Sequence, residues 1–318
     1  MRARSARPSF AVVVAGMLAV AVAASPAIAT FPGGNGDIAY LKIGGSSLAM
    51  RAIAPDGTGD HQLSVGASDA VDAEYTPDGT SAVIAESGHR RGRIVLLDLA
   101  TSDRTVILGR RDAPGQPFSL GVSPDGGSVV FCVFARRGYR LYTVDVDGSN
   151  LTRISFGTDD CHADWGSNNR IVASEEIQRG AQQVVTMAPD GSDREVVETM
   201  PPPEARWNVI WFVVPNWAPD ASRIVFGAQR NRVYSDIFAI DPDGANLSNL
   251  TGTRRRSEYG PLFSPDGALV AFTREQPVRR GPDAGDLWLM DADGANVTRI
   301  TDTERRDEYS RSWQAIVP

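Results

Sequence analysis

The stretch FSPDGALVAFT, Phe263 to Thr273, decides the fold. Within it, Ser264-Pro265-Asp266-Gly267 is a turn in which proline presets φ for the second position. Glycine takes the left-handed position, and the Asp side chain can cap the backbone of the turn. The same signal recurs as Thr76-Pro77-Asp78-Gly79, Ser123-Pro124-Asp125-Gly126 and Ala218-Pro219-Asp220-Ala221, with a degraded copy at Trp165-Gly166-Ser167-Asn168. Pro77 and Pro124 are 47 residues apart, and Pro219 and Pro265 are 46 apart.

A second series interleaves with the first: Ala54-Pro55-Asp56-Gly57, Asp145-Val146-Asp147-Gly148, Ala188-Pro189-Asp190-Gly191, Asp241-Pro242-Asp243-Gly244 and Asp291-Ala292-Asp293-Gly294. The period containing Leu97-Asp98-Leu99-Ala100 lacks the glycine. Short β-type runs lie between these turns, such as Val129-Val130-Phe131 and Ile224-Val225-Phe226, then Leu141-Tyr142-Thr143-Val144 and Leu287-Trp288-Leu289-Met290. Four short strands per period of about 40 to 50 residues is the signature of a propeller blade. Counting predicts an all-β chain of six four-stranded blades. Tyr309-Ser310-Arg311-Ser312-Trp313 copies an innermost strand, and Gly36-Asp37-Ile38-Ala39-Tyr40 copies a second strand. The C-terminal strand is therefore expected to complete the first blade and remove an open edge.

The alternation of FSPDGALVAFT with DLWLMDADGANVTRIT (Asp286 to Thr301) resembles the propeller repeat of the TolB family, sometimes called WD-like. The resemblance covers residues 30–318. It implies a free-standing TolB-type propeller, with no room before Asp37 for the N-terminal α/β domain that TolB carries. It further implies an exported or periplasmic protein whose ring binds other proteins. It does not imply one fixed activity, because propellers host many functions.

The N-terminus reads as a signal peptide over residues 1–29. Arg2, Arg4 and Arg7 precede an apolar run from Phe10 to Ala24, and Ala27-Ile28-Ala29 supplies a small-residue cleavage site. The apolar run is short and Ala-rich for a membrane span. No Cys follows the cleavage site and no Arg-Arg pair precedes the apolar run, which points to Sec-type export into the periplasm, the cell envelope or the medium. Loss of the three arginines would take the formal net charge from −7 to −10, which argues against a nucleic-acid partner. Lys42 is the only lysine, a bias that reflects base composition and carries no functional reading. The two cysteines, Cys132 and Cys161, read either as a disulfide or as two buried thiols.

Sharp motifs dissolve under the repeat. A calcium loop wants Gly at its sixth position and ligands at positions 1, 3, 5 and 12. Asp291-Ala292-Asp293-Gly294 has Gly at the fourth, and Ala54 and Ala188 replace the first Asp in sister copies. The glycosylation-type triplets at Asn150, Asn246, Asn249 and Asn296 follow the repeat, and bacterial-type export gives no reason to expect glycans there. The three histidines, His61, His89 and His162, fall in separate blades, and no Gly-x-Ser-x-Gly elbow occurs. Asp159-Asp160-Cys161-His162-Ala163-Asp164 is the best metal candidate, with a plain reading as the polar start of an innermost strand.

Strict alternation puts both turn series at one end of the blades. The variable connections then share the opposite face, where binding loops belong. They include Gly88-His89-Arg90-Arg91, Arg136-Arg137-Gly138-Tyr139, Arg230 to Tyr234, and Gln276 to Gly285. Arg255, Glu258, Arg305 and Glu308 are expected at the rim of the channel, with Asp159, Asp160 and His162. An insertion at residues 200–212 brings Trp207 and Trp211, as a docking site or a channel cover. The expectation is a non-catalytic, monomeric binding scaffold without cofactor that takes a protein or peptide at the channel mouth. The rival is a propeller enzyme of lyase or lactonase type, and a third class is a structural envelope protein.

Overall fold

The computed structural model describes residues 33–317 except 45–46, 64–69, 89–90, 136–137, 156–158, 178–180, 201–212, 230–233, 277–283 and 304–306. The described chain is all β and contains no helix long and apolar enough to cross a membrane. The first strands are β1 (Gly34–Gly44), β2 (Ser47–Ile53) and β3 (His61–Gln62). The second blade is β4 (Ala70–Tyr75), β5 (Ser81–Glu86), β6 (Arg93–Asp98) and β7 (Arg104–Leu108). The third is β8 (Pro117–Val122), β9 (Ser128–Ala135), β10 (Gly138–Asp145) and β11 (Thr152–Arg153). The fourth is β12 (Asp159–Trp165), β13 (Ile171–Glu176), β14 (Gln182–Met187) and β15 (Glu195–Met200). The fifth is β16 (Asn216–Trp217), β17 (Ile224–Gln229), β18 (Ser235–Ile240) and β19 (Ser248–Asn249). The sixth is β20 (Glu258–Phe263), β21 (Leu269–Gln276), β22 (Ala284–Asp291) and β23 (Thr298–Arg299), and the chain ends on β24 (Asp307–Ile316).

Each blade is a four-stranded antiparallel sheet, and β24 pairs with β1 to give the order β24-β1-β2-β3. The ring closes as the repeat register requires. Cores lie between blades: Ala218, Val225, Ile237 and Ala239 of the fifth pack on Phe263, Val270, Phe272 and Met290 of the sixth. Second strands such as SAVIAE and IVFGAQ are buried along nearly their whole length because a blade lies on either side. That double coverage explains their continuous apolar runs. Full burial of each large side chain here contributes about 1.5–3 kcal/mol.

The turns follow their local chemistry. Gly79, Gly126 and Gly267 have positive φ and donate back to Thr76, Ser123 and Ser264, each at 2.8 Å. The degraded copy sits one residue later than its sequence alignment suggests. Asn169 holds the left-handed position at φ 57° and its N–H reaches the Gly166 carbonyl at 2.9 Å. Asparagine is among the few residues that tolerate that backbone. In the second series, Asn150, Asn246 and Asn296 are left-handed, and each donates its side-chain amide to the first Asp of its own turn at 2.6 Å. Where that Asp is Ala54 or Ala188, the partner position holds Gly59 or Asp193 instead. The asparagines thus belong to the turn.

Cys132 on β9 and Cys161 on β12 form a disulfide, Cα 5.4 Å apart, that joins the third blade to the fourth. Of the alternatives that the sequence left open, this is the one the fold adopts.

Candidate functional site

The six innermost strands, β4, β8, β12, β16, β20 and β24, surround a central cavity of about 340 Å³. It is lined by the segments just before the strand-end aromatics Tyr75, Trp165, Trp217, Phe263 and Trp313. A narrower continuation runs toward the turns, bounded by Trp217, Pro219, Phe263, Pro265 and Trp313. The wider part therefore lies on the side of the variable connections.

Bulges shape this lining. Pairing of the inner strand with its neighbour shifts between Ala70 and Asp72, Phe118 and Leu120, Cys161 and Asp164, and Tyr259 and Leu262. At equivalent positions Ser119, His162 and Gly260 have φ of 52°, 50° and 60°. An extra residue re-aims the side chains around it.

The lining's charged and titratable groups are Asp72, Glu74, His162, Asp164 and Arg311, with the phenols of Tyr259 and Tyr309. Arg311 Nε lies 3.3 Å from Asp72, whose carboxylate also accepts from the Ala73 and Leu120 N–H groups at 3.1 and 3.0 Å. Asp164 accepts from the N–H groups of Trp165 (2.8 Å) and Trp217 (2.7 Å) and from the Asn216 amide (2.9 Å). Glu74 accepts from the Ser312 hydroxyl at 2.9 Å. Burial pushes Asp164 up to about 6 against those backbone donors. Burial, reinforced by the negative charge of Asp164, raises Glu74 well above the usual carboxylate range. Burial pushes His162 down to about 3, with Arg311 adding to the shift, so its ring is neutral at pH 7. Asp164 is buried and Glu74 half-buried where the inner strands converge, and desolvation there disfavours the charged form unless a cation joins it.

The residues singled out in the sequence divide. His162 lines the cavity, whereas Asp159 is not among the lining residues and accepts from the Tyr139 N–H. Arg255 is exposed on the connection into β20. Asp160, Glu258 and Glu308 do not line the cavity: all three are 0% exposed. They occupy one repeat position, five residues before the strand-end aromatic, and each meets a base: Arg194 at 2.5 Å, Arg274 at 2.9 Å and Lys42 at 2.7 Å. The bulge inverts the alternation, so this acid points between blades. Arg305, Trp207 and Trp211 lie outside the described residues. Sequence reasoning missed Asp72, Glu74 and Arg311, and met Asp164 only as the last residue of the Asp159–Asp164 metal candidate. Their signal is a polar pair spaced by two, Asp72-x-Glu74, His162-x-Asp164 and Ser310-x-Ser312, just before the aromatic. Among the described residues no three His, Cys, Asp or Glu side chains gather as a metal site would need.

Comparison with known proteins places this geometry. An uncharacterized protein of Agrobacterium fabrum is 23% identical over 266 residues, spanning 80% of this chain and 87% of the relative. TolB from Acinetobacter baumannii superposes with a TM-score of 0.67 at 19% identity, over 90% of this chain and 67% of that one. Oligogalacturonate lyase from Vibrio parahaemolyticus superposes at 0.57 with 13% identity, over 88% and 81% of the two chains. At such identities the superpositions show a shared ring, which a TolB and a lyase both use. The family profile described as the TolB beta propeller domain matches residues 35–315, and the chain belongs to that family.

Proposed function

We propose that the protein is an exported, non-catalytic binding scaffold that docks a protein or peptide segment at the channel mouth, on the face opposite the Pro-Asp-Gly turns. The observation that carries this reading is the 340 Å³ cavity on that side of a rigid ring, lined by irregular, bulged inner strands. A space of that size lies at the low end of ligand pockets and suits a side chain or a chain terminus better than a folded element. Export rests on the N-terminal pattern over residues 1–29 and is supported by the Cys132–Cys161 disulfide, which belongs to an oxidising compartment. Arg255, exposed on the same face, and Arg305 supply outer contacts to carboxylates of the partner. Crosslinking in the exporting cell, with wild type beside Arg255→Ala plus Arg305→Ala, tests the rim. Loss of captured envelope proteins is expected, and equal capture of the same proteins would overturn it.

One observation favours a rival. Carboxylates with raised pKa values in a cleft are the kind of group that serves as general acid or base. A lyase or lactonase reading therefore predicts turnover of an acidic oligosaccharide or a lactone that Glu74→Gln abolishes. Absence of turnover by the wild-type protein removes this rival.

A further inference from the structure

Among the described residues no cation pairs with Glu74 or Asp164. The guanidinium of Arg311 is held at Asp72, and His162 is neutral. Among the described residues no other basic side chain lines the channel. Asp164 is satisfied by backbone and amide donors, whereas Glu74 has the one hydroxyl of Ser312. Among the described residues two carboxylates thus face one small space with no basic side chain against them, and desolvation there favours a ligand that brings positive charge.

A second feature leads to the same place. Phe134, at the end of β9, is 63% exposed, an unusual state for a phenylalanine. Its ring meets Tyr139 edge-on at 5.2 Å, Tyr139 meets Phe118 at 6.0 Å, and Phe118 meets His162 at 6.1 Å. Phe118 and His162 both line the cavity. An aromatic ridge therefore runs from the exposed Phe134 into the channel, where Tyr259 and Tyr309 lie 5.6 Å apart. Aromatic faces accept both apolar side chains and cations.

We infer that the channel takes a basic peptide segment: an apolar side chain rests on the Phe134–Tyr139–Phe118 ridge, and a lysine, arginine or amino-terminal cation enters to meet Glu74 and Asp164. This rests on the docking reading above and names the chemistry of its ligand. Charge complementarity selects the sign of the ligand and suppresses acidic competitors. It also makes the contact weaken with added salt.

The test uses the full mature protein in buffer with a chelator and three fluorescein-labelled nonapeptides of equal apolar content that differ only in central residues: lysine, glutamine or glutamate. Fluorescence anisotropy is expected to show the lysine peptide binding at least ~10-fold tighter than the glutamine one, one matched charge's worth. Glu74→Gln, which keeps shape and the Ser312 hydrogen bond, is expected to erase that preference. Phe134→Ala, at an exposed position, is expected to weaken the lysine and glutamine peptides by the same factor. Equal binding of all three peptides, or a lysine preference that survives Glu74→Gln, overturns the inference while leaving docking intact. Preferential binding of the glutamate peptide overturns it as well. Binding of none of them at any concentration counts against the docking reading itself and takes the inference with it.

Discussion

At the turn end of the blades the carboxylates of the repeat take hydrogen bonds from groups of their own turn. Asp125 accepts from the Ser123 hydroxyl at 2.6 Å and the Gly127 N–H at 2.9 Å, and those bonds hold it below the ordinary carboxylate range. Asp145 is lowered in the same way, first by the Asn150 amide and then by Ser128. A few residues away along the inner strands the opposite holds: Glu74, Asp72 and Asp164 are all raised, each chiefly by burial. The signs of linkage differ accordingly. A lowered carboxylate adds stability above its unfolded pKa and loses it as pH falls. A raised one adds stability only below its unfolded pKa, and that contribution is lost as pH climbs through the folded value. At neutral pH the turns stabilise the ring and the channel carboxylates do not. Stability given up at one spot is a recurrent cost of a binding or catalytic site, which is why the proposed docking is centred on these carboxylates.

The largest effect is expected at the buried acids between blades, each of which is paired with a base on another strand. Lys42→Ala turns Glu308 into an uncompensated buried acid, and chemical denaturation is expected to show a loss of about 3–5 kcal/mol. A loss under ~1 kcal/mol, the range of surface pairs, would mean that Glu308 reaches solvent. Next in size is the disulfide. It closes a loop of 29 residues beside the channel, and the Cys132→Ser, Cys161→Ser protein is expected to lose about 3–4 kcal/mol by the loop-entropy relation. Smaller again is the turn pair Asp291–Asn296. A double-mutant cycle to alanine is expected to give a coupling of about 1 kcal/mol.

What could be read in the sequence follows the same division. The ring, its six blades and the closing strand were legible because Ser-Pro-Asp-Gly and Asp-x-Asp-Gly encode turns within four residues, and the spacing between them counts strands. The rim was only partly legible. Strict alternation puts Glu258 and Glu308 at the channel mouth, but the bulges on the innermost strands invert it and bury both between blades. Glu74, and the channel setting of Asp164, stayed hidden for the complementary reason. Their environment is made by other blades, Ser312 being 238 residues from Glu74 and Trp217 being 53 from Asp164. No local pattern reports that.

On this reading Glu74 is a carboxylate that the fold would be more stable without at neutral pH. Thermal unfolding of Glu74→Gln beside wild type across pH tests it without any ligand. Glutamine mimics the neutral form at every pH, so the variant is expected to melt at a higher temperature at pH 7. The gap should narrow as pH falls and vanish below about 4.3, the unfolded value of a glutamate. A variant that melts lower than wild type at pH 7 would contradict the account, because Glu74 would then be an ordinary stabilising part of the ring.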